Sequence, residues 1–225
     1  VADRGAMERW AEAVVRDHGR IHLVFNNAGV ALVSSIEGVA YESLEWIMGI
    51  NFWGVVHGTK VFLPHLIAAG EGHIVNLSSV FGLAAVPTQS GYNAAKFAVR
   101  GFTECLRTEL DMMRCGVSAT CVHPGGIKTN IARAARACGS VKSLGLLDTR
   151  DQGEFEAVAM TTPEKAAAII LRAVQKNRRR VMVGPDAYLF DWITRLAPAR
   201  YHALVIGLMR RGNRQRNAVE AAESN

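Results

Sequence analysis

Short apolar segments alternate along this chain with longer segments of helical periodicity, and this alternation limits the folds that the chain can adopt. Four apolar segments predict buried strands, at residues 21–25, 73–79, 117–123 and 180–184. Strands that are separated by helices form parallel sheets, because the chain crosses back along a helix before each new strand. The alternation therefore predicts an α/β fold with a doubly wound parallel sheet.

Helices are predicted in the segments between these strands. The first spans residues 4–17 and ends at Gly19, a residue that suits the left-handed end of a helix. A long helix from residue 43 to about residue 69 has Ser43 as its predicted cap and Pro64 as a predicted kink. The remaining helices are predicted at residues 90–114 and 163–176.

Three of the predicted strands lead directly into polar or turn-forming residues. Asn26, Ser79 and Pro124 each stand at or just beyond the carboxyl end of a strand. In doubly wound sheets, ligands bind at the edge formed by these carboxyl ends. The three segments therefore predict one shared site.

Tyr92 and Lys96 are four residues apart on the helix predicted at 90–114, so their side chains project from one face. A free tyrosine has a pKa of about 10, and a neighbouring cation lowers that pKa. Ser79, at the end of a strand, could hold a carbonyl or alcohol oxygen against the phenol. Together the three side chains predict general acid–base chemistry at a substrate oxygen. The alternative is an incidental Tyr–Lys pair on an exposed helix, because such pairs are common.

Three further motifs accompany this group. The turn Asn26-Asn27-Ala28-Gly29 ends one strand, Asn51 lies in the run Ile50-Asn51-Phe52-Trp53-Gly54, and Pro124-Gly125-Gly126-Ile127-Lys128-Thr129 follows another strand. In this order and spacing the motifs resemble those of the short-chain dehydrogenase/reductase family, from the first residues to about Gly184. The resemblance implies a Rossmann-like fold, NAD or NADP as cofactor, and hydride transfer between the nicotinamide and an alcohol, ketone or aldehyde carbon.

The resemblance also implies a role for each motif residue. Tyr92 would be the general acid in reduction and the general base in oxidation, and Lys96 would lower the pKa of Tyr92 and hold the ribose of the cofactor. Ser79, rather than Ser78, would bind the reacting oxygen, because its spacing to the tyrosine matches the family. Asn51 would bend its helix so that a water links it to Lys96 and relays protons. The residues expected to contact the cofactor are Asn26, Ala28, Gly29, Tyr92, Lys96, Pro124, Gly125, Ile127 and Thr129.

Taken singly, these motifs also have ordinary structural explanations. Asn51 alone would suit a solvated helix face. The Asn-Asn-Ala-Gly and Pro-Gly segments would suit turns that end strands, since Asn and Gly tolerate left-handed backbone angles and Pro-Gly interrupts regular structure. The functional interpretation depends on the whole set.

The glycine-rich turn with which the family binds pyrophosphate has no counterpart in this sequence, where Gly5 stands alone and follows no strand. The chain opens with Val1-Ala2-Asp3-Arg4 and no methionine. We therefore expect residues 1–225 to form a single, N-terminally incomplete dinucleotide-binding and catalytic domain. Residues 21–25 would then be an exposed edge strand, and the chain on its own would bind the cofactor poorly.

The net charge of +6 is concentrated near the end of the chain, where residues 176–216 hold ten lysines and arginines against two aspartates. We interpret residues 185–225 as a basic C-terminal extension. It is either a solvated face with a frayed tail or, because apolar stretches lie between the arginines, a surface that touches membranes. Nucleic acid is not expected as a partner, since no nucleic-acid-binding motif accompanies the charge.

No apolar run approaches the roughly 20 residues that a membrane-spanning helix needs. The four cysteines show no C-x-x-C spacing, which argues against a zinc site. We therefore expect no metal, reduced thiols and a cytoplasmic location, with peripheral membrane contact as the alternative.

Residues 131–161 lack a clear period and contain three glycines, Gly139, Gly145 and Gly153. The resemblance implies that they form the substrate loop, and an apolar loop favours a small lipophilic alcohol or ketone as substrate; an exposed insertion is the alternative. By the same resemblance, the helices that begin near residues 43 and 90 would pair between subunits of a homodimer or homotetramer.

The leading hypothesis is that the protein is an NAD(P)-dependent alcohol/ketone oxidoreductase. A non-catalytic dimerisation or regulatory module and a membrane-associated scaffold are the alternatives.

Overall fold

The computed structural model describes residues 1–139, 141, 144 and 159–223. In these residues the helices are α1 (Arg4–His18), α2 (Tyr41–Met48), α3 (Gly54–Ala69), α4 (Ser90–Met113), α5 (Pro163–Gln175), α6 (Pro185–Leu196) and α7 (Tyr201–Glu223). The strands are β1 (Leu23–Asn26), β2 (Leu32–Val33), β3 (Gly72–Leu77), β4 (Val117–Pro124), β5 (Arg136–Ala137) and β6 (Arg180–Val183). Apart from the long helix at 43–69, the predicted strands and helices agree with these bounds to within two residues at each end.

One parallel sheet contains β1, β3, β4 and β6 in that order. In the described part of the chain β1 pairs with β3 alone, so β1 is an edge strand. Its Leu23 and Phe25 side chains are accordingly 40% and 42% exposed. The inner strands β3 and β4 have partners on both sides and contribute most of the fully buried positions of the sheet.

Neighbouring residues of β3 show that helices cover both faces of the sheet. Ile74 packs in one cluster with Phe62 of α3 and Leu106 of α4, whereas Val75 packs with Ile170 of α5. Successive residues of a strand point to opposite faces, so α3 and α4 cover one face and α5 covers the other. Full burial of a side chain of this size contributes about 1.5–3 kcal/mol. This arrangement confirms the predicted doubly wound α/β fold.

The prediction of one helix from residue 43 to about residue 69 is confirmed in its extent, because residues 41–69 are helical throughout, but its cap and its regularity differ from the prediction. The first part begins at Tyr41 and contains Ser43 as a buried interior residue instead of its cap, and a π-helical turn, Gly49–Trp53, separates α2 from α3. Helix α3 continues through Pro64, where the sequence pattern predicts a kink. The irregular turn surrounds Asn51, whose side chain bonds to a distant backbone segment, and helical periodicity cannot reveal such a contact.

A second, smaller sheet pairs β2 with β5 in parallel. The pairing holds residues 136–137 beside the segment that follows β1, and the Arg136 guanidinium lies over the Trp46 ring at 3.9 Å. The predicted substrate loop therefore begins with a turn and a short strand at residues 131–139. Residues 140, 142–143 and 145–158 of that loop lie outside the described residues.

The two helices near the C-terminus pack against the segment that follows β3. Phe190 of α6 contacts the cluster that contains Val80, and Tyr201 of α7 packs against Ala84. The Tyr201 hydroxyl accepts a hydrogen bond from the Ala85 N–H at 3.0 Å. The first part of the basic C-terminal segment is thus packed against the main sheet domain.

None of the helices within the described residues is both long and apolar enough to cross a bilayer. All four cysteines are described and none is bonded to another; Cys121 is buried and Cys105 is exposed.

Candidate active site

The ends of three parallel strands define one edge of the sheet where the predicted site residues meet. The register places Asn26 of β1 beside Asn76 of β3, and Leu77 of β3 beside Val122 of β4. Ser79 follows two residues after β3 ends, and Pro124 is the last residue of β4. The three segments therefore leave the sheet at the same edge. That they form one shared site stays a prediction.

The segment after β3 is anchored onto the beginning of α4. The Ser78 hydroxyl donates to the Lys96 carbonyl at 2.8 Å, and the Asn93 amide donates to the Phe81 and Ala84 carbonyls at 2.8 and 3.0 Å. A Cβ on Gly82 would lie 2.7 Å from the Lys96 carbonyl oxygen, so glycine permits this close approach. These contacts bring the serine at position 79 against the first turn of α4.

Ser79 is held from two sides. Its hydroxyl oxygen accepts the Phe81 N–H at 3.1 Å, and its carbonyl oxygen lies 3.0 Å from Nδ1 of His123, a fully buried residue of β4. The residue itself is 8% exposed. The Ser79 side chain is therefore held by its own backbone segment and by a neighbouring strand, and its hydroxyl lowers the pKa of Tyr92.

Tyr92 is half-buried and stands edge-on to the Phe81 ring, with centroids 6.0 Å apart. Burial raises the pKa of Tyr92 to about 12, and a hydrogen bond with Ser79 acts in the opposite direction. The net shift is upward, because the loss of solvent around the phenol outweighs the hydrogen bond with Ser79. The phenol is consequently protonated at neutral pH. That the Lys96 charge lowers the pKa of Tyr92 stays a prediction.

Lys96 is buried beneath Tyr92. Its Nζ lies 5.5 Å from the centre of the Tyr92 ring and donates to the Leu77 carbonyl at 2.9 Å. Burial lowers the pKa of the Lys96 ammonium to about 8. The group therefore carries its charge at pH 7 and brings it to the same end of β3 as Ser79 and Tyr92.

Asn51 meets this group through the loop after β1. Its side chain accepts the Val30 N–H and donates to the Val30 carbonyl, both at 2.8 Å, and it is fully buried. A Cβ on Gly29 would lie 3.3 Å from Oδ1 of Asn51 and 3.7 Å from Nζ of Lys96. The π-helical turn that contains Asn51 therefore adjoins Lys96 across a glycine, and the helix is distorted at the position where the sequence predicted a bend.

Asn26 faces the interior of the protein. Its amide donates to Asn76 at 2.8 Å and to Thr59 at 3.2 Å, and Asn76 in turn donates to Thr103 at 3.0 Å. This chain of polar side chains ties β1 to β3, α3 and α4. The Asn26 side chain thus supports the sheet, and Asn27 and Ala28 are the exposed residues of this turn.

The loop after β4 is shaped by a residue that sequence reasoning missed. Gly125 donates its N–H to the Val183 carbonyl at 2.9 Å, and Gly126 donates its N–H to Oδ2 of Asp186 at 2.6 Å. Further along, Ile127 pairs with Thr161, and Thr129 is exposed at the outer end of the loop. Asp186 follows the strand β6 in Gly184-Pro185-Asp186, and this strand-end position was the signal that could have identified it.

The model of the short-chain dehydrogenase family matches residues 1–138 of the chain. A Mycobacterium tuberculosis protein named as a putative oxidoreductase, SadH, is 48% identical over 210 residues, which cover 91% of this chain and 73% of SadH. A Xenopus laevis protein named dehydrogenase/reductase SDR family member 7B is 32% identical over 206 residues, covering 91% of this chain and 61% of that protein.

Among solved structures, a short-chain dehydrogenase/reductase from Burkholderia phymatum in complex with NAD superposes with a TM-score of 0.74. The two sequences are 25% identical, and the match covers 86% of this chain and 72% of that one. Fold, strand-end geometry and sequence similarity agree: this chain belongs to the short-chain dehydrogenase family of oxidoreductases.

Proposed function

We propose that this protein is an NAD(P)-dependent oxidoreductase that interconverts an alcohol and a ketone or aldehyde. The observation that carries the proposal is the meeting of the Ser79 hydroxyl, the Tyr92 phenol and the Lys96 ammonium at the carboxyl end of β3. A hydroxyl, a proton donor and a buried cation in one place are the groups that proton transfer at a substrate oxygen requires.

A nicotinamide dinucleotide fits the residues around this group. The bond to Leu77 uses one of the three N–H donors of Lys96, so the ammonium can also hold ribose hydroxyls. The loop Pro124–Thr129 would hold the nicotinamide, and the turn Asn26–Gly29 would pass the adenosine half. When bound, NAD or NADP supplies or accepts the hydride at the substrate carbon. The similar Burkholderia phymatum enzyme carries NAD.

The proton chemistry belongs to this chain's own side chains. With a pKa of about 12, Tyr92 holds its proton at neutral pH and donates it to the carbonyl oxygen in reduction. In oxidation the deprotonated phenol accepts the proton of the alcohol, and the Lys96 ammonium stabilises the phenolate. The Ser79 hydroxyl donates a hydrogen bond to the same substrate oxygen. The Asn51 turn beside Lys96 gives protons a path, by way of a bridging water, to solvent.

The surroundings of Tyr92 favour a small lipophilic substrate. The Phe81 ring stands against the phenol. Phe190 of α6 packs against the same apolar cluster as Phe81, the cluster that contains Val80 and Met182. The Phe81 ring beside the phenol, backed by this apolar cluster, is a surface that an apolar substrate would contact favourably.

Exposed aromatic side chains near α3 and α4 support assembly into a homo-oligomer. Phe97 of α4 is 40% exposed, and Trp53, just before α3, is 50% exposed. Large apolar side chains of this kind are enriched where subunits meet. Pairing of these helices between two copies of the chain would cover both residues.

The alternative of a non-catalytic dimerisation module or membrane-associated scaffold is less consistent with the site. Placing an ammonium in the interior costs several kcal/mol of solvation, and Lys96 is only 4% exposed. A scaffold gains nothing from such a group next to a protonated phenol and a serine hydroxyl. An enzyme that moves protons at a substrate oxygen uses all three.

The substitution Tyr92→Phe tests this proposal in the natural full-length protein. It keeps the ring and removes the transferable proton, so kcat for a panel of secondary alcohols and ketones should fall by about 10²–10⁴-fold. The rate is followed by the change in nicotinamide absorbance. Tyr41→Phe is the matched control, because Tyr41 is 81% exposed, and it should leave kcat unchanged. If Tyr92→Phe keeps more than about a tenth of the wild-type kcat, which is far less loss than general acid–base catalysis predicts, the role of Tyr92 is wrong.

A further inference from the structure

The Asp186 carboxylate reaches out of its own helix and into the loop after β4. It lies in the first turn of α6, and its Oδ2 accepts the N–H of Gly126 at 2.6 Å. Gly125 is held at the same time by the Val183 carbonyl, at the end of β6. Two successive N–H groups of the loop are therefore bound by β6 and by the helix that follows it.

The two glycines that flank the carboxylate leave room for it. A Cβ on Gly125 would overlap with the Asp186 carboxylate, and a Cβ on Gly184 would overlap with its Oδ1. Gly184 also has a φ of +102°, a backbone conformation that side chains rarely adopt. The carboxylate is thus enclosed between the loop after β4 and the loop after β6.

An ordinary helix-capping role does not account for this placement. An acidic residue in the first turn of a helix is favoured by the helix dipole and normally bonds to N–H groups of its own helix. The hydrogen bond of Asp186 goes instead to Gly126, 60 residues earlier in the chain. Its Oδ1 is buried and, among the described residues, has no hydrogen-bond partner. Burying a carboxylate oxygen without a hydrogen-bond partner costs free energy. The side chain nevertheless occupies this position, in which it bonds to the loop, and not one in which water would solvate both oxygens.

We propose that Asp186 is a positioning residue that fixes the Gly125–Gly126 turn, so that the next residues of the loop, Ile127 and Thr129, meet the nicotinamide. The inference rests on the proposed function, since that function assigns this loop to the nicotinamide half of the cofactor. Asp186 acts through the loop and touches neither the substrate nor the reacting atoms. Its effect is therefore confined to ligands that contain the nicotinamide.

The test compares two ligands on the natural full-length protein carrying Asp186→Asn. NADH, or NADPH if the enzyme prefers it, contains the nicotinamide, whereas ADP-ribose, or its 2′-phosphate, lacks it. The amide oxygen of asparagine can still accept the Gly126 N–H, but the bond loses its negative charge and about half of its strength, so the dissociation constant for the dinucleotide should rise several-fold, up to about tenfold. The dissociation constant for the ADP-ribose ligand should stay within about twofold of wild type, because that ligand makes no contact with the loop. Glu164→Gln is the matched control, because Glu164 is also acidic and in the first turn of a helix, α5, but is exposed.

A second variant separates positioning from folding. Gly125→Ala places a methyl group where the carboxylate lies, and it should reproduce the selective loss of dinucleotide affinity even if Asp186→Asn folds poorly. Equal losses for both ligands, or no loss for either, would overturn the inference while leaving the proposed function intact. Failure of the wild-type protein to bind any of these ligands would instead overturn the proposed function.

Discussion

The chemistry of Lys96 depends strongly on its surroundings. Removing an ammonium from water costs several kcal/mol, and the hydrogen bond to the Leu77 carbonyl offsets part of that cost. Burial lowers its pKa to about 8, so the group keeps its proton at pH 7. A positive charge is therefore present 5.5 Å from the centre of the Tyr92 ring, where it favours the phenolate once the proton has left.

The substitution Lys96→Met keeps much of the side-chain volume and removes the charge. We expect the pKa that governs the oxidation rate to rise, because the phenolate loses its cation. Cofactor affinity should fall roughly tenfold or more, because the ribose loses a charged donor. A pH–rate profile and a cofactor titration measure the two effects. Lys60→Met is the control, since Lys60 is exposed on α3; a Lys96→Met protein that matches it in both measurements would show that Lys96 is only a structural charge.

At the scale of the elements, periodicity is enough to predict the four strands of the main sheet and most helices, whereas the two-residue strands β2 and β5 were not predicted. The face of α4 that carries Tyr92 and Lys96 follows from the 3.6-residue repeat alone. The break at Asn51 does not follow, because it depends on bonds to Val30, 21 residues away. Asp186 was missed for the same reason, since its partner is 60 residues distant. Local pattern reveals the elements, whereas the contacts that shape the site are between elements.

The pKa of Tyr92 shows the same difference between what the local sequence predicts and what contacts between elements decide. Sequence spacing correctly brings a cation to Tyr92, but the direction of the pKa shift depends on how much water the fold removes from the phenol. That quantity is set by Phe81 and by the packing of the segment after β3 on α4. The burial of Tyr92 therefore could not be inferred from the four-residue spacing.

The two inner strands each bury a histidine. His73 of β3 lies 2.7 Å from the Thr120 hydroxyl through Nε2, and His123 of β4 lies 3.0 Å from the Ser79 carbonyl through Nδ1. Burial lowers the pKa of each imidazole from 6.5 to about 4. Both rings are consequently neutral in the folded protein at neutral and mildly acidic pH.

These histidines predict how stability depends on pH. Between the unfolded pKa of 6.5 and the folded pKa of about 4, the unfolded chain binds protons that the folded chain does not. The free energy of unfolding is therefore highest above the unfolded pKa and falls as the pH drops towards the folded pKa. Each histidine contributes up to about 3 kcal/mol to this fall.

Urea unfolding at about pH 7.5 and at about pH 4.5 measures this fall in the free energy of unfolding, because the two values span most of the interval between the unfolded and folded pKa. The fall should be smaller in His73→Gln than in His18→Gln, a control at an exposed position of α1. Equal falls in the two variants would contradict the assignment to His73.

At the scale of the whole molecule, the basic C-terminal helices have two contrasting surfaces. Their outer surfaces expose large apolar side chains, among them Trp192, Leu196 and Leu208, and the arginines between them would suit an anionic membrane surface. Their inner surfaces, however, pack against the segment that follows Ser79. The inner contacts are the ones that connect these helices to the candidate site.

We therefore expect α6 and α7 to serve the substrate cleft. Tyr201→Phe removes the hydroxyl that accepts the Ala85 N–H, and an N–H that loses its partner away from water costs about 1–3 kcal/mol. Loosening of the segment that follows Ser79 should raise the KM for substrate several-fold and leave cofactor affinity unchanged. The control variant Tyr188→Phe, at an exposed position of α6, should change neither quantity.

In sedimentation with anionic and neutral vesicles at low and high salt, the wild-type protein should remain in the supernatant. Binding to anionic vesicles alone, weakened by salt as charge screening requires, together with a normal KM in Tyr201→Phe, would assign these helices to a membrane surface instead.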